Sequence, residues 1–286
     1  MNDERTLKIR EIAKELLSKG EIAVFIGYGK GTYNGKARPI FVRTPEEADK
    51  LIFDSTCSNN LVTYLKFPVV RDEGVVGIVV KGCDAKALVG LIRESQLMRE
   101  QVRIVAVTCE GVVADDGQLQ LRCQYCDVAN PTFYDFLVGS PVEDQKPRDF
   151  SGLLEKYETM SVEERWEFWQ SQFEKCIRCY ACRQACPLCY CTRCIVEKNQ
   201  PQWIETSSHL RGNFAWNIIR AFHLAGRCAG CGACEDACPV DIPLMLLNYK
   251  LEKEIWDYFH YRVDLDPESV PPFTTFKTDD RGEFIL

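Results

Sequence analysis

Cysteine spacing carries most of the chemistry legible in this chain. Cys176-x2-Cys179-x2-Cys182-x3-Cys186-Pro187 is repeated 52 residues later as Cys228-x2-Cys231-x2-Cys234-x3-Cys238-Pro239. Each run has the spacing that holds a cubane of four irons and four sulfides. Three thiolates at three-residue steps on a tight loop wrap three irons while backbone amides turn toward the sulfides. The fourth cysteine stands where a helix could start, and the proline after it suits a first helical turn. Zinc is the competing ligand. Its sites usually pair two CxxC knuckles, so a doubled CxxCxxC run makes a poor zinc ribbon.

Eight of the 16 cysteines remain. Cys189, Cys191 and Cys194 crowd behind the first run, and three thiols in six residues rarely serve as core filler. Cys57, Cys83, Cys109, Cys123 and Cys126 lie in the first half, the last two as CxxC. Two geometries compete. One builds a third cubane from Cys83, Cys109, Cys123 and Cys126, with Cys57 as substitute ligand. The other adds a fourth cluster from Cys189, Cys191 and Cys194 and one first-half cysteine. Buried free thiols, or a CxxC zinc or redox pair, are the plainer alternatives.

Elements must position these residues. The first half reads as α/β: a helix over Asp3–Lys19, strands at Ile22–Ile26 and Pro39–Arg43, and a helical stretch at Asn59–Lys66. The apolar run Val75–Val80, a helix over Ala85–Met98 capped by Asp84, and the run Arg103–Val107 form a βαβ crossover, hence a parallel sheet. Cys83 and Cys109 then emerge at the carboxyl edge, where such sheets bind ligands. Lys81-Gly82 precedes Cys83, and the glycine allows close backbone approach to a ligand. Gly27-Tyr28-Gly29-Lys30-Gly31-Thr32 is the best phosphate-cradle candidate, through Gly29 and Gly31. A glycine-rich turn after the strand is the alternative, since the spacing fits neither nucleotide fingerprint.

The later part is helical. Ser161-Val162-Glu163-Glu164 is a capping box, and Val162, Trp166, Trp169 and Phe173 repeat at helical spacing, as core facing the clusters. Further helices are expected over Asn213–Ala225 and after Pro243. The resulting architecture is an α/β N-terminal domain with a mostly parallel sheet (1–140), a linker (141–160), an all-α two-cluster ferredoxin domain (161–262) and an extended, partner-docking tail (263–286). None of His209, His223 and His260 has metal-ligand spacing, although His223 lies near Cys228 and could tune a cluster.

Composition narrows the function classes. A net charge of −7 disfavours nucleic acid as the main partner, no apolar run is long enough to span a bilayer, and the N-terminus lacks a signal-peptide layout. The expected location is cytoplasmic, where thiols stay reduced. Residues 175–240 hold eight Lys/Arg against four acids, a local +4 that leaves −11 for the rest. Arg178, Arg183, Arg193 and Arg227 lie in or beside the cysteine runs, and buried anionic clusters require such compensation.

Two resemblances sharpen this. With 41 residues between Cys186 and Cys228, the later part resembles the α-helical ferredoxin domain of heterodisulfide reductase small subunits and succinate dehydrogenase iron–sulfur subunits. In two-cluster ferredoxins the fourth cysteine of each run serves the other cluster. By that pattern Cys176, Cys179, Cys182 and Cys238 hold one cubane, and Cys228, Cys231, Cys234 and Cys186 the other. Val79-Val80-Lys81-Gly82-Cys83-Asp84-Ala85-Lys86-Ala87-Leu88, Ile92-Arg93-Glu94-Ser95-Gln96 and Val107-Thr108-Cys109-Glu110-Gly111-Val112 resemble the beta subunits of deazaflavin-dependent hydrogenases and formate dehydrogenases. That resemblance implies electron transfer between iron–sulfur clusters and FAD, within assemblies of catalytic and electron-transfer subunits. Here, however, the ferredoxin unit follows the α/β unit, and the α/β part is short for a flavin-binding region. The expectation is an electron relay, with a flavin oxidoreductase acting on a deazaflavin or nicotinamide as the alternative.

Overall fold

The computed structural model describes residues 4–32, 35–114, 116–143, 148–274, 276 and 278. Helix α1 (Glu4–Ser18) turns Ile9, Ile12, Ala13 and Leu16 inward at helical spacing. Strands β1 (Val24–Lys30), β2 (Ala37–Val42) and β3 (Leu51–Ile52) follow, then a 3-10 turn at Leu61–Lys66 and the single-turn α2 (Pro68–Arg71). The crossover is β4 (Val76–Val80), α3 (Gly82–Arg93) and β5 (Val102–Val107), followed by the single-turn α4 (Leu121–Gln124) and β6 (Phe136–Val138). The sheet order is β2-β1-β4-β5-β6, with β1, β4, β5 and β6 mutually parallel; β2 and β3 pair antiparallel with β1. Every residue of β4 is buried, as expected of a parallel strand covered on both faces.

Asp84 is not the cap of α3. The helix begins two residues earlier, Lys81 is the N-cap, and the Lys81 backbone N–H donates to the Asp84 carboxylate at 2.9 Å. Cys83 therefore lies in the first helical turn. The glycine stretch also departs from expectation. β1 continues through Gly27 and Gly29 to Lys30, in a hairpin that pairs Gly29 with Arg38. A Cβ on Gly27 would stand 2.4 Å from Leu51, one on Gly29 2.8 Å from Ile40, and one on Gly31 2.2 Å from the Lys36 carbonyl oxygen. Gly27 and Gly29 admit neighbouring side chains within the sheet, and Gly31 stands in the β1–β2 connection, its N–H donating to the Lys36 carbonyl at 2.8 Å; none forms an open cradle.

Beyond the sheet come α5 (Ser151–Glu158), α6 (Val162–Glu174), α7 (Ala181–Ala185), α8 (Leu210–His223), α9 (Ala233–Asp236) and α10 (Leu244–Phe259). The capping box at Ser161 closes as expected, with reciprocal bonds of 2.7 and 3.1 Å to Glu164. The stretch expected as a linker contains α5. Phe150 and Leu154 pack there with Phe173 and Tyr249 because their apolar area is worth more out of water; residues 144–147 lie outside the described set. Trp166 is 51% exposed, so only Phe173, and in part Trp169, are core. No helix begins at Cys186 or Cys238; the third cysteine of each run, Cys182 or Cys234, lies in the short α7 or α9 instead.

The expected tail folds back on its own chain. The Arg93 guanidinium bonds Asp264, the Asp266 carbonyl and, at 3.1 Å, the Tyr261 hydroxyl, and Phe273 meets Phe259 edge-on at 5.5 Å. Residues 275, 277 and 279–286 of that tail lie outside the described set. The two halves also share apolar core: Cys186, Leu188, Leu224 and Ala229 belong to the cluster built on the sheet.

Candidate iron–sulfur centres

The two cysteine runs repeat in backbone conformation as well as spacing. Arg178 and Tyr180, between the first cysteines of the first run, have φ of 58° and 59°; Gly230 and Gly232, at the equivalent places in the second, have 67° and 66°. Left-handed geometry costs a non-glycine residue roughly 1 kcal/mol or more. In the first run, contacts offset that cost. The buried Arg178 guanidinium donates to the Gly212 carbonyl at 2.6 Å and the Glu205 carbonyl at 3.2 Å, and lies over the Tyr180 and Trp216 rings. Glycine in the second run leaves room for two arginines: a Cβ on Gly230 would fall 2.2 Å from the Arg148 guanidinium and one on Gly232 2.5 Å from Arg122.

Cys176, Cys179, Cys182 and Cys238 line one cavity, so the fourth cysteine of the second run stands with the first three of the first run. Cys186 is electrostatically close to Cys228, Cys231 and Cys234. Burial pushes the Cys182 thiol up to about 11 and the Cys231 thiol up to about 12, with Arg220 opposing the rise at Cys182 and Arg122 at Cys231. Lys66 fixes the end of α7, donating to the Gln184 carbonyl at 2.7 Å and the Cys186 carbonyl at 3.0 Å. Asn213 likewise holds the start of the run through the Phe173 and Cys176 carbonyls, at 2.9 and 2.7 Å.

A third group forms at the carboxyl edge of the sheet. A cavity of about 170 Å³ is lined by Cys83, Cys109, Cys123 and Cys126, together with Cys231 from the second run. The segment after α4 closes it. Ala129 accepts the Cys109 backbone N–H at 2.9 Å, and a Cβ on Gly82 would lie 1.7 Å from the Val128 carbonyl oxygen. Gly82 thus serves approach by this chain's own backbone. Lys81, also on the cavity, is buried; its ammonium bonds the Tyr28 hydroxyl, the Asn59 carbonyl at 3.0 Å and Asp84 at 2.9 Å. Cys57 is not part of the lining. It is fully buried, accepts the Asp54 backbone N–H at 3.4 Å, and burial pushes its thiol to about 12.

Three buried arginines were not singled out by the motifs. Arg122 donates to the Cys231 carbonyl at 2.6 Å and pairs with Asp236 at 2.8 Å. Arg148 makes a two-pronged bond to Glu252 at 2.5 and 2.8 Å and donates to the Tyr125 carbonyl at 3.0 Å. Arg220 faces Cys234, Cys186, Cys182 and Cys189. Arg122 had a signal in the sequence, its adjacency to Cys123, whereas Arg148 and Arg220 had none. Of the four arginines expected to balance clusters, Arg183 pairs with Glu197 and Arg227 with Glu94.

Cys189, Cys191 and Cys194 line a separate cavity that includes no first-half cysteine, contrary to the expected cross-unit ligand. Among the described residues no group of three or more His, Cys, Asp or Glu converges to hold one metal ion. Three of the thiol sets line cavities instead: that of Cys176 with Cys238, that of Cys83 with Cys109, and that of Cys189 with Cys194. Such soft donors, bordered by cations, suit an anionic iron–sulfur cluster, whose ligands attach to different irons.

Fold and sites define an iron–sulfur protein built on a partly parallel α/β sheet. Residues 172–242 match the family described as a 4Fe-4S dicluster domain. The beta subunit of an F420-dependent formate dehydrogenase from Methanocaldococcus jannaschii is 37% identical over 124 residues, 42% of this chain and 32% of that one, so the match spans about a third of that relative. An F420-dependent formate dehydrogenase 1 beta subunit from Methanococcus maripaludis is 22% identical over 92% of both chains. A chain of the xenon-derivatised F420-reducing [NiFe] hydrogenase complex from Methanosarcina barkeri aligns at 19% identity and a TM-score of 0.30, covering 39% of this chain and 38% of that one. The chain is thus similar over part of its length to these beta subunits, and it carries 4Fe–4S clusters. No helix among the described residues is long and apolar enough to cross a membrane.

Proposed function

We propose that the chain is an electron-transfer subunit of a multi-subunit oxidoreductase, with three cubane clusters in sequence. Residues 161–262 form an all-α dicluster unit with exchanged fourth ligands: Cys238 joins Cys176, Cys179 and Cys182, and Cys186 joins Cys228, Cys231 and Cys234. Residues 1–140 form the α/β unit, with Cys83, Cys109, Cys123 and Cys126 as ligands of the third cluster; 141–160 connect the units and 263–286 form the tail. When bound, each cluster takes up and releases one electron. The chain's own residues hold the thiols in place, exclude water and supply buried guanidiniums.

One observation carries the reading. The third cavity is lined by four cysteines of the α/β unit and by Cys231, a ligand in the second run. That adjacency makes a continuous path. The relatives' names are those of subunits, so the partners proposed are catalytic and electron-transfer subunits of the hydrogenase, formate dehydrogenase or heterodisulfide reductase type. A chain with 16 free cysteines belongs in a reducing compartment such as the cytoplasm. The flavin alternative loses its cradle, because Gly29 lies within β1 and Gly31 packs on Lys36.

Iron and sulfide analysis of the anaerobically purified chain tests this. Three cubanes give at least about 12 irons per chain, and Cys126→Ser should remove about four while the dicluster electron paramagnetic resonance (EPR) signals persist. A wild-type count near eight, unchanged in that variant, would leave only the dicluster.

A further inference from the structure

The cavity lined by Cys189, Cys191 and Cys194 is used by none of the three centres above. We infer that it is a fourth iron–sulfur site, with His223 as the fourth ligand. Helix α8 builds one wall: Trp216, Ile219, Arg220 and His223 follow at steps of three, one and three residues, which puts them on one helix face, and all four line the cavity. The turn carrying the three cysteines builds the other wall, and the space between is about 80 Å³. His223 is exposed at the last turn of the helix, where its ring can reach a cluster at the surface. Neutral imidazole is an established substitute for thiolate on iron–sulfur clusters.

A second observation points to an anionic occupant. Arg220 lines the same cavity, is 4% exposed, and its Nε has no hydrogen-bond partner. The thiols facing it are Cys234, Cys186 and Cys182 ahead of Cys189, so this guanidinium borders the dicluster centres and the present cavity together. A buried guanidinium without a carboxylate is costly unless an anion stands against it. Arg183 and Arg227 also line the cavity but are paired with Glu197 and Glu94. The site is surface-facing, with Cys191 exposed and Phe222, beside His223, 63% exposed. A cluster there would be the chain's terminus for exchange with another redox protein.

The inference rests on the relay reading only for its purpose; its test is separate. Full-length wild type, Cys191→Ser/Cys194→Ser, His223→Ala and His223→Cys are purified anaerobically, and iron, sulfide and zinc are measured alongside EPR spectra of the reduced and oxidised protein. The expected wild-type count is about 16 irons per chain, and the double variant should lose about four irons and four sulfides with its dicluster signals intact. His223→Ala should leave a cluster prone to a three-iron signal on oxidation, and His223→Cys should remove that signal. The retained dicluster signals report folding. An unchanged iron count in the double variant, loss of about one zinc instead of iron, or parallel collapse of the dicluster signals would each overturn the inference. Failure at Cys126 bears on the third site alone, so the two readings fall separately.

Discussion

Replacing Arg148 with methionine should loosen the joint between the third site and the dicluster unit. The guanidinium side chain is 4% exposed, its Glu252 partner 15%, and it also donates to the Tyr125 carbonyl next to Cys126. Removing one member of a buried ion pair costs about 3–5 kcal/mol; since water reaches Glu252 in part, the low end applies. The Tyr125 carbonyl adds about 1 kcal/mol for its lost donor. The total of about 4 kcal/mol is a large share of a domain's stability, of order 5–15 kcal/mol. Urea unfolding of the anaerobic holoprotein, followed by tryptophan fluorescence and cluster absorbance, measures it. With a slope of about 2 kcal/mol per molar, the midpoint should fall by about 2 M. Adding Glu252→Leu should recover much of the loss, because the stranded carboxylate goes with its partner. A midpoint shift under about 0.5 M, or a double variant no better than the single, would refute the assignment of a buried, load-sharing ion pair.

Other perturbations address the remaining assignments. Cys186→Ser should diminish the EPR signal of the centre held by Cys228, Cys231 and Cys234, and leave the Cys176–Cys182 centre; the reverse result would overturn the exchanged ligands. Gly82→Ala puts a Cβ 1.7 Å from the Val128 carbonyl oxygen. Backbone cannot yield there, so a stability loss of about 3 kcal/mol and release of third-site iron are expected, by denaturant unfolding and iron analysis. Gly29→Ala meets only the side chain of Ile40, at 2.8 Å. It should cost about 1–2 kcal/mol, be relieved only in part by Ile40→Val, which removes Cδ1 but keeps Cγ2, and leave iron content unchanged; a selective loss of bound cofactor would restore a ligand role to that glycine.

How much of this was legible in the sequence depended on how local its cause was. The crossover was readable because β4 and β5 are apolar runs and α3 has a clear periodicity; both strands end within a residue of expectation. The cysteine runs were readable because loop spacing alone prescribes their chemistry. Gly27 and Gly29 misled because glycine also serves where a neighbouring strand crowds in, and Leu51 and Ile40 are distant in sequence. α5 was hidden by flanking prolines and charges, since what orders it is Phe150 and Leu154 meeting Tyr249 from the far end of the chain. Trp166 kept the helical spacing of a core residue yet lies half outside, tilted against Phe214 at 4.9 Å. Among the eight remaining cysteines, spacing could suggest ligands, but only the fold separates Cys57 from the other four of the first half.

Arg122 and Arg148 also bear on how the chain is made. Both precede, by more than 100 residues, the carboxylates that receive them, Asp236 and Glu252. Gly230 and Cys231, which complete the third cavity, emerge from the ribosome equally late. Synthesis runs from the N-terminus, so the first half stands with two cations short of their nearest carboxylates and an open set of thiols until the last quarter of the chain arrives. If the α/β cavity holds the proposed cluster, its loading is expected only once the last quarter of the chain has been made. A chain interrupted after residue 160 should hold no stable cluster at Cys83, Cys109, Cys123 and Cys126, which its bound iron would show.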